Sequence, residues 1–189
     1  LTPDIAAKNI SKQYIQDLFR FFKLFPQHTD FYDIFSSALL MHNSYLFDIL
    51  SANGEIKTDV AEYYFAKSHY KQALELFEDL LKVQEPTSAI YQKTGYLYQQ
   101  TSQLGKALEA YLKADIIQPD DLWTIRKIAL CYRLSGNHEK ALEFYQHADF
   151  LKPNQTSTLL HIGQCLVALE RFKEALQVYA KLDTEDITG

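Results

Sequence analysis

Small, apolar and aromatic positions repeat along most of this chain with a period of 34 residues. An Ala-Leu pair marks each copy, at Ala73-Leu74, Ala107-Leu108, Ala141-Leu142 and Ala175-Leu176. An aromatic ring follows each of these alanines by four residues, in Phe77, Tyr111, Tyr145 and Tyr179. A small residue precedes each of them by twelve, in Ala61, Gly95, Ala129 and Gly163. Four copies of one pattern predict a stack of similar structural units.

Each copy predicts two helices joined by a short polar turn, because its apolar positions recur three and four residues apart. Proline ends the second helix, since it has no amide hydrogen to donate and restricts the residue before it. These prolines are Pro86, Pro119 and Pro153. The helix that follows needs an N-cap side chain. The candidates are Thr87, Asp120 or Asp121, and Asn154 or Thr156.

Two copies place a glycine inside the first helix. Glycine is a poor helix former, by about 1 kcal/mol relative to alanine, so a packing role has to explain it. Two helices approach closely where one side chain is nearly absent. We therefore expect Gly95 and Gly163 to lie at close helix–helix contacts, beside the rings of Tyr111 and Tyr179.

This combination of period, small residue, tyrosine, alanine, ring and proline resembles the tetratricopeptide repeats. The resemblance covers about residues 54–187 in four copies, 54–87, 88–121, 122–155 and 156–187. It implies an all-α fold, a right-handed superhelical solenoid of antiparallel helix pairs. The end copies depart from the family pattern, with Leu80 and Leu182 in place of alanine and Leu166 in place of tyrosine. Terminal repeats are often atypical, so the predicted fold stands.

Residues 1–53 lie outside the repeat frame, and we expect additional N-terminal helices there. An apolar helix is predicted from Ile10 to Phe25, ending at Pro26, and a second helical stretch from about Phe31 to Leu50. One interpretation is a degenerate helical pair that caps the repeat array. The other is a docking element for an upstream domain, or a segment that folds into the protein's own groove.

Composition and charge narrow the class of partner. The chain has 189 residues and a net charge of −5. Such a chain lacks the basic field that binds phosphates, so no nucleic acid partner is expected. No run of 18 apolar residues occurs, so we expect no direct membrane insertion. The chain begins at Leu1 rather than Met, which indicates that the start of the full-length protein is missing.

The sequence contains no motif for catalysis, metal binding or phosphate binding, so we expect neither an enzyme nor a cofactor. Cys131 and Cys165 occupy the same place in adjacent repeats, too far apart for a disulfide. We interpret them as small buried residues, which agrees with a reducing compartment and favours a cytoplasmic location. His161 lies one turn before Cys165, but two donors without a third do not define a metal site.

The resemblance implies that the first helix of each repeat lines a concave, protein-binding groove. The corresponding positions are rich in Tyr, Trp and Arg, which are enriched at binding hot spots. Glutamine amides among them suit a peptide backbone. The predicted groove residues are Phe65, Gln92, Tyr96, Gln99, Trp123, Arg126, Leu130, Arg133, Leu160 and Gln164.

The expected function is a protein–protein interaction module, a scaffold or adaptor that binds a peptide or protein segment in this groove. The alternatives are a secretion-type chaperone that shields an apolar client segment, and a structural or regulatory domain of a larger protein. Some family members grip the C-terminal carboxylates of chaperones with a set of Lys, Asn and Arg side chains. Of the matching residues here only Lys127 fits, and Glu62 would repel a carboxylate, so no such clamp is expected.

Overall fold

The computed structural model describes residues 9–17, 47, 49, 54–83 and 85–185. Across these residues all the regular secondary structure is helical, which confirms the predicted all-α solenoid of helical repeats. Residues 9–17 form one helix before the repeats. The helices of the repeat region are α1 (Glu55–Ala66), α2 (Tyr70–Val83), α3 (Ser88–Gln100), α4 (Leu104–Ile117), α5 (Leu122–Leu134), α6 (His138–Leu151), α7 (Thr156–Ala168) and α8 (Phe172–Glu185).

The helix boundaries follow the 34-residue frame closely. The first helices α3, α5 and α7 begin at residues 88, 122 and 156, and the second helices α2, α4, α6 and α8 begin at residues 70, 104, 138 and 172. Three residues separate the first and second helix of each pair. So short a connection makes the two helices antiparallel neighbours. The handedness of the stack stays a prediction.

The middle residue of each of these turns has a left-handed backbone. The residues are Ser68, Ser102, Gly136 and Glu170, with φ of 60°, 62°, 80° and 58°. The following amide donates back to a carbonyl of the first helix, as from Gln103 N to Tyr98 O at 2.8 Å. This is the Schellman arrangement that satisfies the last carbonyls of a helix. The predicted polar turns are thus helix C-caps.

Two of the three predicted N-caps are confirmed. The Thr87 hydroxyl accepts from Ile90 N at 3.4 Å, and the Asp121 carboxylate accepts from Thr124 N at 2.9 Å. The prediction of Asn154 or Thr156 is wrong, because α7 is preceded by Gln155, which makes no side-chain cap bond. Asn154 instead takes a left-handed φ of 59°, a conformation that asparagine tolerates better than most residues.

The chain forms two compact units, Leu1–Gln84 and Glu85–Gly189. In the first unit α1 packs against α2 and buries Phe77 completely. Ile15 and Phe47 are buried in the same unit, and Lys12 Nζ lies 2.7 Å from Asp59 Oδ2. The division at residue 53 between an N-terminal segment and the array stays a prediction. The rest of the predicted N-terminal helices, residues 18–46, 48 and 50–53, falls outside the described residues.

In the second unit the repeat columns themselves form the core. Each second helix packs against the first helix of its own repeat, and α4 and α6 also pack against the next first helix. Tyr111 of α4 lies in one cluster with Ile128 and Cys131 of α5. Tyr145 of α6 lies in another cluster, which includes Cys165 of α7. Both cysteines are buried and free, as predicted.

The two packing glycines are confirmed. A Cβ on Gly95 would lie 2.7 Å from Cε1 of Tyr111, a ring that is itself fully buried. A Cβ on Gly163 would overlap Cε1 and Cζ of Tyr179. The tyrosine rings of the second helices therefore fit against the first helices only where the Cβ is missing.

Candidate functional site

The candidate site lies on the first helices of the second unit, and we call it the first-helix surface. It comprises the predicted groove residues of α3, α5 and α7 together with Lys127. Its residues are Gln92, Tyr96, Gln99, Trp123, Arg126, Lys127, Leu130, Arg133, Leu160 and Gln164. Hydrogen bonds and ring contacts connect α3 to α5 and α5 to α7, so these residues belong to neighbouring helices.

Two residues of the surface bridge successive repeats. Gln92 Nε2 donates to Thr124 Oγ1 at 2.8 Å and to the capping carboxylate of Asp121 at 3.1 Å. One repeat later, Arg126 donates to Thr158 Oγ1 at 2.7 Å. Both bonds span 32 residues, and both threonines are buried near the start of a first helix. Gln92 and Arg126 therefore fix the packing of neighbouring first helices.

An aromatic cluster surrounds Lys127 on α5. Its ammonium nitrogen lies 5.2 Å from the centroid of the Trp123 ring and 5.4 Å from that of Tyr96. These are cation–π distances, with the charge held between two rings. Trp123 also meets the Tyr111 ring edge-on, with centroids 5.7 Å apart. Trp123 is nevertheless 42% exposed, so its side chain contacts Tyr111 and Lys127 and still reaches solvent.

Gln99 and Arg133 lie about one turn after Tyr96 and Leu130, on α3 and α5 respectively. The Tyr111 hydroxyl donates to Gln99 Oε1 at 3.3 Å. At the corresponding place in the next repeat, the Arg133 guanidinium lies beside the Tyr145 hydroxyl. Burial raises the pKa of that hydroxyl, and the positive charge of Arg133 opposes the shift. Gln99 and Arg133 thus lie against the hydroxyl groups of the buried tyrosines of the second helices.

The remaining predicted residues differ in their surroundings. Leu130 is half-buried, and Leu160 and Gln164 are exposed on α5 and α7 respectively. Gln164 Oε1 lies 3.1 Å from Nδ1 of His161. Phe65 belongs to the first unit, where its ring meets Phe77 edge-on at 6.5 Å. Its membership of a common groove stays a prediction.

The sequence-based prediction missed three residues that shape this surface. Lys127 follows Arg126 in the sequence, but it is not at one of the repeat positions from which the groove residues were predicted. Thr124 and Thr158 are the buried acceptors of the two bridges. Their recurrence 34 residues apart was a usable signal, because each follows by 32 residues a side chain that can donate.

Within the described ranges, no group of three or more His, Cys, Asp or Glu side chains could hold a metal ion. Burial raises the pKa of the Cys131 thiol to about 11 and also raises that of Cys165. Thiols with a raised pKa are poor nucleophiles and poor metal ligands. In the same ranges, no helix is both long and apolar enough to cross a membrane.

These features define a class of protein, the helical-repeat modules that bind other proteins. Residues 59–121 match a family model described as tetratricopeptide repeat. Residues 117–182 match the model of subunit 3 of the anaphase-promoting complex, or cyclosome, which is of the same repeat type. The chain therefore belongs to the tetratricopeptide-repeat proteins. No curated protein matches it significantly in sequence.

Solved structures show the same fold at low sequence identity. A MamA structure is 20% identical, with a TM-score of 0.67, over 75% of this chain and 85% of that chain. MamA 41-end from Desulfovibrio magneticus RS-1 is 17% identical, with a TM-score of 0.68, over 97% and 94%. YrrB, described as a TPR protein with an unusual peptide-binding site, is 16% identical, with a TM-score of 0.69, over 93% and 82%.

Tetratricopeptide proteins bind other proteins or peptides, and in this general sense the chain is a protein–protein interaction module. Similarity at this level of identity establishes the fold alone. The place where a partner binds, and its chemistry, must be argued from the side chains of this chain.

Proposed function

We propose that this protein binds a peptide or protein segment along the first-helix surface of its second unit. The observation that carries the proposal is the environment of Trp123. Its indole is held by Tyr111 and by the Lys127 side chain, yet 42% of the residue is open to solvent. A rigid, half-exposed tryptophan loses little conformational entropy on binding and offers a large apolar contact.

The neighbours of Trp123 suit an extended peptide. Leu130 on α5 and Leu160 on α7 add apolar area to the same surface, and Gln164 supplies an exposed amide that can both donate and accept. The bonds from Gln92 and Arg126 to the next repeat keep the helices in place before a ligand arrives. A surface that is already ordered avoids part of the entropy cost of association.

The test is Trp123→Ala, measured against peptides selected for binding to the wild-type protein. The probe is a library of random peptides displayed on phage, each about twelve residues long and so able to span several turns of helix. Loss of a hot-spot anchor costs about 2 kcal/mol or more, so the dissociation constant should rise about thirtyfold. Thermal melting should change little, because a half-exposed side chain contributes less than the 3–5 kcal/mol or so of a buried one.

Phe150→Ala is the matched control. Phe150 is an aromatic residue on α6, a second helix, and it is 80% exposed. Its removal should leave peptide binding unchanged. The proposal is wrong if the wild-type protein selects no peptide, or if Trp123→Ala and Phe150→Ala bind the selected peptides equally well.

A further inference from the structure

Charge is distributed unequally between the first and second helices of the second unit. The sequences of α3, α5 and α7 contain no Asp or Glu, although the whole chain has a net charge of −5. They carry four cationic side chains, Lys93, Arg126, Lys127 and Arg133. The acidic residues of this unit lie on the second helices and in the loops, for example Glu109, Glu143 and Asp149.

The first unit does not share this distribution. Its first helix, α1, carries Glu55, Asp59 and Glu62 against a single cation, Lys57. The cationic character therefore belongs to the first helices of the second unit and does not follow from the repeat pattern itself. The repeated pattern of small residues and rings constrains only the buried positions. The charge of the exposed positions can therefore be determined by the requirements of a ligand.

Among the described residues, no carboxylate forms an ion pair with Arg126, Lys127 or Arg133. Arg126 donates a hydrogen bond to an uncharged hydroxyl, Thr158 Oγ1. The Nε atoms of Arg126 and Arg133 are buried and have no hydrogen-bond partner among the residues that the structure describes. Partial burial also lowers the pKa of Lys127, as expected for an ammonium with little compensating negative charge nearby.

We propose that the first-helix surface selects an acidic segment in which carboxylates alternate with apolar or aromatic residues. This inference rests on the proposed function and specifies its partner. The carboxylates bind Lys127 and Arg133, and the apolar residues contact Trp123, Leu130 and Leu160. Charge-assisted hydrogen bonds to carboxylates are about twice as strong as neutral ones. The match of charge accelerates association and rejects basic segments.

A single-stranded nucleic acid is also anionic and stacks on aromatic rings. The surface favours a peptide for two reasons. Its cations are few and lie mainly on the single helix α5, whereas a nucleic acid needs a basic track along its backbone. Its exposed glutamine, Gln164, provides an amide that pairs with peptide groups.

The experiment uses the same displayed random peptides and the full chain. We expect the selected peptides to be enriched in Asp and Glu beside apolar residues. Lys127→Glu should weaken their binding about tenfold to a hundredfold, since a hydrogen bond to a charged group is lost and a like charge is added. Lys127→Gln and Arg133→Gln should show smaller losses. Raising the ionic strength from about 0.1 to 1 M shortens the Debye length from about 10 to about 3 Å and should weaken binding in the wild type.

Lys140→Glu is the matched control. Lys140 also lies over a tyrosine ring, 5.3 Å from the centroid of Tyr132, but it is on the second helix α6. The substitution changes the net charge by the same amount as Lys127→Glu. It should leave binding within about twofold of wild type, because Lys140 is exposed on a second helix and is not one of the residues proposed to contact the segment.

The outcomes separate the two proposals. Selection of neutral or basic peptides that lose affinity with Trp123→Ala would overturn the acidic preference and keep the proposed function. Equal losses for Lys127→Glu and Lys140→Glu would also overturn it, since net charge alone would then account for binding. Tighter binding of a labelled oligo-dT than of the acidic peptides would assign the surface to nucleic acid. Selection of no peptide would refute the proposed function, and this inference with it.

Discussion

At the residue scale, the contact between Gly95 and Tyr111 links a sequence column directly to a packing distance. Both positions were recognisable from the sequence, because each recurs in every repeat and their helices are adjacent in the chain. The fully buried ring leaves no space for even one added carbon at residue 95. The glycine is therefore a steric requirement of this helix pair.

Gly95→Ala should destabilise the protein by roughly 1–3 kcal/mol, because overpacking displaces a ring that cannot rotate into solvent. Gly105→Ala is the control: Gly105 lies in α4 and nothing is within 4 Å of its added Cβ. There the better helix propensity of alanine should stabilise the protein by up to about 1 kcal/mol. Urea denaturation measures both changes. Equal effects of the two substitutions would show that propensity alone decides.

The bridges from Gln92 and Arg126 were missed by the sequence analysis at this same scale. Both residues were expected in the groove, and both lie on the first helices. Their partners, Thr124 and Thr158, were not predicted, because the distance between the first helices of successive repeats depends on how those repeats pack together. Periodicity identifies the face of a helix, but it does not identify the contacts across that face.

At the scale of the helix pair, the left-handed turn is the feature that all four repeats share. Only Gly136 signalled it in the sequence, and Ser68, Ser102 and Glu170 adopt the same conformation with a side chain present. The left-handed region costs a residue with a Cβ roughly 1–2 kcal/mol. The capping hydrogen bonds require that backbone geometry and offset its cost.

Two substitutions at this turn position should therefore change the stability of the protein in opposite directions. Glu170→Gly should stabilise the protein by up to about 1 kcal/mol, the relief of left-handed strain less the added backbone freedom of glycine. Gly136→Ala should destabilise it by about 1 kcal/mol for the converse reason. Thermal unfolding followed by circular dichroism measures both. A loss of stability in Glu170→Gly would mean that the glutamate side chain contributes more than its conformation costs.

At the scale of the whole molecule, buried groups that ionise only in alkali should limit stability at high pH. Burial raises the pKa of the Cys131 thiol from its ordinary value of 9.0 to about 11. It raises the pKa of the hydroxyls of Tyr64, Tyr111 and Tyr145 above their ordinary value of 10.0. In each case the folded protein holds a proton that the unfolded chain releases at lower pH.

Because the folded state binds more protons, the free energy of unfolding should fall as the pH rises above about 9. The stability from these groups is complete below the unfolded pKa values and is lost progressively as the pH approaches the folded ones. Melting temperatures between pH 7 and pH 11 or so test this linkage. Cys131→Ala separates the thiol from the tyrosines and should remove part of the decline. A melting temperature constant across this range would contradict the prediction.

The sequence predicts the structure well at positions whose role repeats in every copy. It predicts the structure less well at positions that differ from one copy to the next. The helix pairs, their boundaries and the buried rings follow from the 34-residue frame, because burial repeats with the frame. The groups that distinguish one repeat from another do not: Arg133 lies beside Tyr145 where Gln99 bonds Tyr111, and Gln155 precedes α7 where Asp121 caps α5. Differences of this kind, such as Arg133 in place of Gln99, give the first-helix surface a positive charge that the net charge of the whole chain does not indicate.

Trp123 is the only tryptophan in a chain with 13 tyrosines. Because Trp123 lies on the first-helix surface, the intrinsic fluorescence of the protein should report on that surface. Indole emission shifts to shorter wavelength when water is displaced from the ring and to longer wavelength when the ring is fully hydrated. A segment that settles on this surface and an unfolding chain should therefore move the emission maximum in opposite directions. Occupancy and denaturation can thus be followed in one cuvette, with no label attached and no residue changed.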